Sequence, residues 1–287
     1  MSKIDAVSFD NFLKGRNPFD GGESTFDLSG ITFISAAGMV QLTAACHALA
    51  SAGARPSVKV DDVNVRGYLA RSGFFSALDG IAVVEPPLSR VQKMISDHQR
   101  GGNPLLVEVT RIASGAALPE LLDRIVSVLQ RRLKYRQRDA FDIAVAISEL
   151  SQNTFDHNTG SCGFLAMQVY GSKGAKRFLE VAVADYGEGL TATLTRNPKY
   201  SDIRSDVQAI RRAIQPGVSE HDDPTRGTGL HHLIQITYHH GGSVQIRSGR
   251  GKVHFRMDKK IGYEFAVPRV PGVQVSLSLP AKDSIRS

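Results

Sequence analysis

The first hundred residues alternate short apolar runs with longer amphipathic ones, and this pattern predicts a small α/β unit. A partly alternating strand over residues 25–34 precedes a helix over residues 36–52, which Gly53 stops. Apolar side chains recur in this helix at three- and four-residue spacing: Met39, Leu42, Cys46 and Leu49. A strand over 57–60, a helix over 63–78 and a strand over 81–84 complete a β-α-β-α-β order.

A charged segment follows and marks a domain junction. Residues 88–100 have the pattern of a charged helix, and the run Gly101-Gly102-Asn103-Pro104 then interrupts any regular element. We therefore predict a first domain over residues 1–98, which includes the connecting helix. A linker over 99–104 and a second domain over 105–287 follow.

The second domain begins and ends with strand patterns and carries helices between them. Strands are predicted over 105–110, 163–170, 178–184, 244–248, 253–257 and 273–279, and helices over 119–133, 138–157, 206–214 and 228–238. The first helix has Leu121, Leu122, Ile125, Val128 and Leu129 as its apolar stripe, and the second has Ile143, Ile147 and Leu150. The whole chain is thus predicted to be α+β, with two domains. In the second, helices pack on a mixed, largely antiparallel sheet.

Composition narrows the function classes. The 287 residues carry a net charge of +7, and 41% are hydrophobic, which predicts globular domains. No apolar run approaches the length of a bilayer span, and Met1 to Asp10 lacks a secretory pattern. Cys46 and Cys162 suggest neither a disulfide framework nor a metal cluster, so we expect a cytoplasmic protein. The basic residues are scattered, which disfavours a nucleic-acid partner without excluding one.

One helix combines an apolar face with a polar face suited to chemistry. Glu149, Asn153 and His157 are four residues apart, so they fall within an arc of about 80° on the helix. An amide oxygen suits Mg²⁺, and a carboxylate one turn away can orient or deprotonate a nucleophile. A solvated polar helix face explains the same spacing equally well.

Two glycine-rich segments follow. The apolar strand ending at Asp185 leads into Gly187, Gly189 and Leu190; a carboxylate there can accept a hydrogen bond from an exocyclic amine, and the glycines admit a ligand close to the backbone. The second segment, Arg226-Gly227-Thr228-Gly229-Leu230, opens a helix whose free N–H groups can bind phosphates. Ordinary glycine turns are the alternative for each segment. No lysine completes a Walker A loop here.

Taken in order, these segments resemble the GHKL superfamily of ATP-binding proteins, over residues 105–280. Glu149, Asn153 and His157 resemble the N box of that superfamily. Residues 185–189 and 226–230 resemble its two glycine boxes. The resemblance implies the Bergerat fold with ATP and Mg²⁺ as cofactors, Asn153 on Mg²⁺, Asp185 on the adenine amine and residues 227–230 around the phosphates. It also implies an ATP lid over residues 191–226. Gly272-Val273 departs from the usual Gly-Thr, which removes one expected hydroxyl contact near the adenine.

Within that superfamily the chain is most similar to the anti-sigma-factor serine kinases, whose N-box glutamate acts as the base, here Glu149. The resemblance implies a protein partner such as a STAS-domain or sigma-factor-like regulator, and homodimerisation. Residues 26–39 resemble the strand, loop and helix start of STAS domains, but the loop reads Ser35-Ala36-Ala37-Gly38, with alanine at the usual acceptor position. Ser35 remains a displaced candidate acceptor.

Two functions stay open at this point. One is an Mg-ATP-dependent ATPase or serine/threonine protein kinase that regulates a partner. The other is a non-hydrolysing ATP-sensing module that switches partner binding. The histidine pairs at 231–232 and 239–240 are expected to serve helix packing rather than zinc binding, because no cysteine or carboxylate cluster accompanies them.

Overall fold

The computed structural model describes residues 3–98, 106–156, 162–171, 176–219, 228–256 and 261–282. Its helices are α1 Phe9–Leu13, α2 Ala36–Ser51, α3 Val63–Arg71, α4 Phe74–Ala77, α5 Arg90–His98, α6 Leu118–Leu133, α7 Gln137–Asp156, α8 Leu190–Leu194, α9 Asp206–Ala213 and α10 Gly229–His239. Its strands are β1 Lys3–Ile4, β2 Thr25–Asp27, β3 Phe33–Ile34, β4 Ser57–Lys59, β5 Val83–Glu85, β6 Leu106–Ile112, β7 Gly163–Tyr170, β8 Phe178–Asp185, β9 Ser243–Arg256 and β10 Ile261–Pro280. The mixture of helices and several sheets agrees with the predicted class. The predicted linker, residues 99–104, lies outside the described residues.

The N-terminal unit contains two small parallel sheets rather than one. Strands β2, β4 and β5 form the first, and β1 pairs with β3 in the second. The prediction of a single strand over 25–34 is therefore wrong. The Asp27 side chain accepts a hydrogen bond from the Ser29 N–H, and Gly30 has φ +78°, so the chain turns between β2 and β3. The sequence pattern also missed β1 and α1.

The second unit is built on a five-stranded sheet in the order β6-β7-β8-β10-β9, with every neighbouring pair antiparallel. The C-terminal strands differ from prediction. Strands predicted separately over 244–248 and 253–257 form the single strand β9, and β10 runs far beyond 273–279. The intervening glycines, Gly249 and Gly251, do not end the strand; a side chain at either position would collide with Asp206 at the start of α9. They allow close helix packing instead.

One face of the five-stranded sheet is covered by α6, α7 and α10. Ile143, Ile147 and Leu150 of α7 are buried in this core, as the sequence predicted. On α6 the predicted stripe is buried except for Leu122, which is only partly buried. The inward residues of β8 are Leu179, Val181 and Val183, which fill the middle of the layer. This face therefore has an apolar, helix-on-sheet core.

The opposite face of the same sheet is covered by α2 from the N-terminal unit. Phe164 and Ala166 of β7 and Ala182 and Ala184 of β8 belong to one core cluster with the α2 residues. Because α2 lies between two layers, even its polar residues Gln41, Thr43 and His47 are buried. The two predicted units consequently share a hydrophobic core.

Hydrogen bonds fix the N-terminal end of α2 to the five-stranded sheet. The Ala37 N–H donates to Glu180 Oε2 (3.0 Å), and the Ala36 N–H donates to the Tyr170 hydroxyl (2.8 Å). Ser35 caps the helix by accepting from the Gly38 N–H. Glu180 is only 8% exposed, and burial raises the pKa of its carboxyl group.

An ion-pair cluster joins α1 to β9 on the same face. Arg247 Nε donates to Asp10 Oδ1 (3.0 Å), and Lys252 Nζ donates to Asp10 Oδ2 (2.5 Å). Arg247 is 2% exposed, and Lys252 also donates to the Ala6 carbonyl. The N-terminal segment that the sequence pattern missed therefore supplies a buried counter-charge to the sheet.

Candidate functional site

Helix α7 presents Glu149 and Asn153 beside its buried stripe. Both side chains are half-buried, in contrast to the buried Ile147 and Leu150 that anchor the helix to the sheet. The next predicted member of this polar face, His157, lies outside the described residues. The described part of the face thus supplies one carboxylate and one amide, one helical turn apart.

The first residue of α10 packs directly against this pair. A methyl group added at Gly229 would lie 3.2 Å from Glu149 Cβ and 3.5 Å from Asn153 Nδ2. The α10 backbone can approach so closely because Gly229 has no side chain. The Thr228 side chain does not cap the first N–H groups of α10. Leu230 is buried beneath them, while Arg226 and Gly227 lie outside the described residues.

Asp185 ends β8 and lies against the backbone of β10. It is 6% exposed, and its Oδ1 accepts a hydrogen bond from the Gly187 N–H (2.8 Å). Gly272 of β10, at φ +79°, lies against it, because a Cβ there would come within 2.7 Å of Asp185 Oδ1. Alternation along β8 directs Asp185 toward the helix-covered face, as it does Val181 and Val183.

The glycine turn after Asp185 is held by a residue that the sequence analysis missed. Gly189 has φ +86°, and the following Leu190 N–H donates to the Ser248 hydroxyl (2.9 Å). Ser248 is buried on β9, and a Cβ at Gly189 would lie 2.8 Å from its oxygen. The sequence gives no local signal for this contact, since Ser248 is simply the last residue of a predicted strand.

Packing between α7 and the sheet brings the two groups of residues to the same end of the molecule. Thr154, next to Asn153, lies so close to Gly163 of β7 that any side chain there would clash. Gly163 pairs directly with Asp185 across the antiparallel ladder. Opposite residues in such a ladder are about 5 Å apart at their Cα atoms. Asp185 is therefore the cross-strand neighbour of Gly163, and Gly163 contacts the end of α7 that carries Asn153.

One oxygen atom of the Glu149 carboxylate lacks a hydrogen-bond donor among the described residues. This atom, Oε2, is buried. His232 on α10 is near, with Nδ1 3.5 Å from Glu149 Oε2, which is longer than an ordinary hydrogen bond. A buried carboxylate oxygen without a donor is costly, so a small movement that brought a donor within hydrogen-bond distance would be favourable.

Several residues in the described part of the predicted lid are anchored in the core. Leu194 on α8, Ile203, and Ala209 and Ile210 on α9 are buried with the residues of the main sheet. Asp206 ties α9 to its surroundings by accepting from the Thr191 hydroxyl and the Arg250 N–H. A lid that moved over all of residues 191–226 would disrupt this core, so that prediction is too broad. The stretch 220–227 lies outside the described residues.

A well-formed cavity lies elsewhere in the molecule. It has a volume of about 550 Å³ and opens on the α2-covered face, between the N-terminal segment and the sheet. Glu180, Gln245, His254 and Arg256 are among its lining residues, and neither Glu149 nor Asp185 is. The choice of the residues around Gly229 as the candidate site is therefore based on their chemistry and proximity and not on the size of a cavity.

No protein-family model matches the chain, and a search of the curated proteins finds no match either. The described helices include none with both the length and the apolar character needed to cross a bilayer. Nor do three or more His, Cys, Asp or Glu side chains gather into a metal cluster within the described ranges. His231 instead has its Nδ1 3.1 Å from the Ile214 carbonyl oxygen, and His240 is buried against the Tyr135 ring.

Proposed function

We propose that this chain is an Mg-ATP-dependent regulatory protein of the GHKL type with a Bergerat fold. The observation that carries the proposal is the packing of Gly229 against both Glu149 and Asn153. It sets a helix N-terminus, favourable for phosphate, beside an amide suited to Mg²⁺ and a carboxylate suited to activating a nucleophile. These are the residue types and positions that the sequence resemblance to the superfamily implies.

Asp185 supports the same proposal from the sheet side. Its carboxylate is fixed by the Gly187 N–H, and the glycines at 187, 189 and 272 leave the surrounding backbone without side chains. An adenine amine placed there would find a preorganised acceptor. In this proposal Val273 contacts the nucleotide only through apolar atoms, in place of the hydroxyl that related proteins often carry.

The N-terminal unit fits the role of a resident regulatory partner. Its STAS-like loop is buried: Ser35, Ala36 and Ala37 are at most 2% exposed, and two of their N–H groups bind Glu180 and Tyr170. We propose that this loop serves as a fixed docking element rather than as a phosphoacceptor. A kinase could not reach Ser35 without separating α2 from the sheet.

The test begins with calorimetric titration of Mg-ATP into the full chain. Asp185→Asn should weaken binding about 10- to 100-fold, the loss of one charge-assisted hydrogen bond. Asn153→Ala should reduce the benefit of added Mg²⁺. The matched control is Gln152→Ala, because Gln152 is the exposed neighbour on α7 and bonds only Ser148 among the described contacts. No heat of binding in the wild-type protein would reject the proposal.

Glu149→Gln then separates catalysis from sensing. If Glu149 is the base, the variant should bind ATP normally and turn it over about 10²- to 10⁴-fold more slowly. Equal and negligible turnover in both proteins, with binding intact, would instead establish the non-hydrolysing module.

A further inference from the structure

We propose that His232 is a positioning residue for Glu149, an inference that rests on the proposed ATP turnover. The two side chains come from different helices, α10 and α7, and approach to 3.5 Å between Nδ1 and Oε2. His232 belongs to the first turn of α10, where its N–H donates to the Thr228 carbonyl (2.8 Å). The same helix end would therefore bind phosphate through its backbone and hold the carboxylate through a side chain.

The unsatisfied oxygen of Glu149 is the second observation. Oε2 is the atom nearest His232, and it is also the atom that is buried without a hydrogen-bond donor. A shortening of a few tenths of an ångström would turn this approach into an Nδ1–H to carboxylate hydrogen bond. Catalytic hydrogen bonds are often long without substrate and tighten when the ligand closes the site.

The packing explains why the approach is specific to His232. Gly229 lets the two helices approach closely at this point, since a Cβ added there would lie only 3.2 Å from Glu149 Cβ. The neighbouring His231 faces another way, with its Nδ1 directed to the Ile214 carbonyl oxygen. Residues 231 and 232 are 100° apart on a helix, so one imidazole supports α10 against the chain after α9 and the other meets Glu149.

The consequence is a division of roles at the carboxylate. His232 holds Oε2, which leaves the other oxygen, Oε1, to accept a hydrogen bond from the attacking hydroxyl or water. Second-sphere hydrogen bonds of this kind orient reactive groups, and their loss typically lowers activity by 10- to 100-fold at metal sites. His232 itself need not touch the nucleotide.

The experiment compares steady-state ATP turnover of the wild-type full chain with four variants: His232→Ala, His232→Gln, His231→Ala and Glu149→Gln. His232→Ala should lower kcat about 10- to 100-fold while KM for ATP changes by less than about threefold. His232→Gln should recover part of the loss, because its amide can still donate to Oε2. His231→Ala, the matched control, should keep kcat near the wild-type value.

The combined variant His232→Ala/Glu149→Gln gives the decisive comparison. If His232 acts through Glu149, the double variant should be no slower than Glu149→Gln alone. A wild-type kcat in His232→Ala, or a further loss in the double variant, would overturn the inference while leaving the proposed turnover intact. If Glu149→Gln itself turns over ATP as fast as the wild type, the catalytic proposal fails and this inference fails with it.

Discussion

The two faces of the five-stranded sheet are buried in different ways. The face under α6, α7 and α10 has an apolar core; the candidate site residues lie at one end of it, around Gly229 and Asp185, and the buried His240 lies at the other end of α10. The face under α1 and α2 contains charged groups within the contact itself: Asp10 with Arg247 and Lys252, and Glu180 beneath α2.

Because of this difference, one sheet can support both a site and a fixed cover. Apolar packing is non-directional. It stabilises the helix layer, but it specifies the orientation of that layer only as precisely as the side chains fit together. Buried ion pairs are costly unless their geometry is satisfied, and they penalise any shifted arrangement strongly. We therefore expect the N-terminal cover to be set in one position, while the polar end of the other face remains open to ligand.

Breaking the ion-pair cluster should destabilise the protein most. Arg247→Met should lower the free energy of unfolding by about 3–5 kcal/mol, because Asp10 is left with less compensation in a buried site. Arg250→Met is the matched control: its partner Asp20 is near the surface, and Arg250 is exposed, so about 1 kcal/mol or less is expected. Urea unfolding of both variants measures the difference. Equal losses would show that burial does not increase the cost of breaking an ion pair between the N-terminal segment and the sheet.

A smaller effect is expected where β10 touches Asp185. Gly272→Ala places a side chain on a residue with φ +79° and against Asp185 Oδ1, which should cost about 2–3 kcal/mol. Gly217→Ala has similar strain, at φ +74°, but no atom within 4 Å of its added methyl group. Thermal unfolding should therefore separate crowding from backbone strain. Mg-ATP binding should weaken only in the Gly272 variant.

The helix-covered face contains a buried imidazole that should make stability depend on pH. Burial, together with the charge of Lys282, lowers the pKa of His240 to about 4. Between about pH 6.5 and 4 the unfolded chain binds a proton that the folded protein does not. The contribution of His240 to stability is thus greatest above pH 6.5 and should fall by about 1 kcal/mol between pH 7 and 5.5. In His240→Gln this part of the slope should vanish; an unchanged slope would assign it to other groups.

The smallest effect is predicted for Glu180→Gln. The glutamine oxygen still accepts from the Ala37 N–H, and no charge is buried, so stability at pH 7 should change by less than about 1 kcal/mol. Because burial raises the pKa of Glu180, the wild-type protein loses stability as pH rises through the folded-state pKa, and the variant should not. Parallel pH–stability curves for the two proteins would contradict this assignment.

Sequence periodicity predicted the elements that have a single buried face. The stripe of Ile143, Ile147 and Leu150 is an example, and it also predicted which flank would present Glu149 and Asn153. The pattern failed where burial comes from two sides or from distant chain segments. Helix α2 is buried on all sides, so its apolar stripe could not reveal the second layer that covers it.

Contacts between segments distant in sequence could not be predicted from local patterns. Ser248 holds Leu190 across 58 residues, and Asp10 holds Arg247 across 237. Nothing near Gly249 and Gly251 distinguishes a strand-ending turn from a strand on which a helix rests; only the position of Asp206 does so. The candidate site residues were selected because their order along the chain resembles that of a known superfamily, since each segment alone also has an ordinary structural explanation.

The arrangement of the sheet bears on how the chain is made. Its last strand, β10, lies inside the order β6-β7-β8-β10-β9, so the ladder is incomplete until residue 280 has been synthesised. Helix α2, made more than a hundred residues before β7, is ready to shield the apolar side of β7 and β8 as soon as they emerge from the ribosome. The first third of the chain can thus protect a growing, half-finished sheet from aggregation.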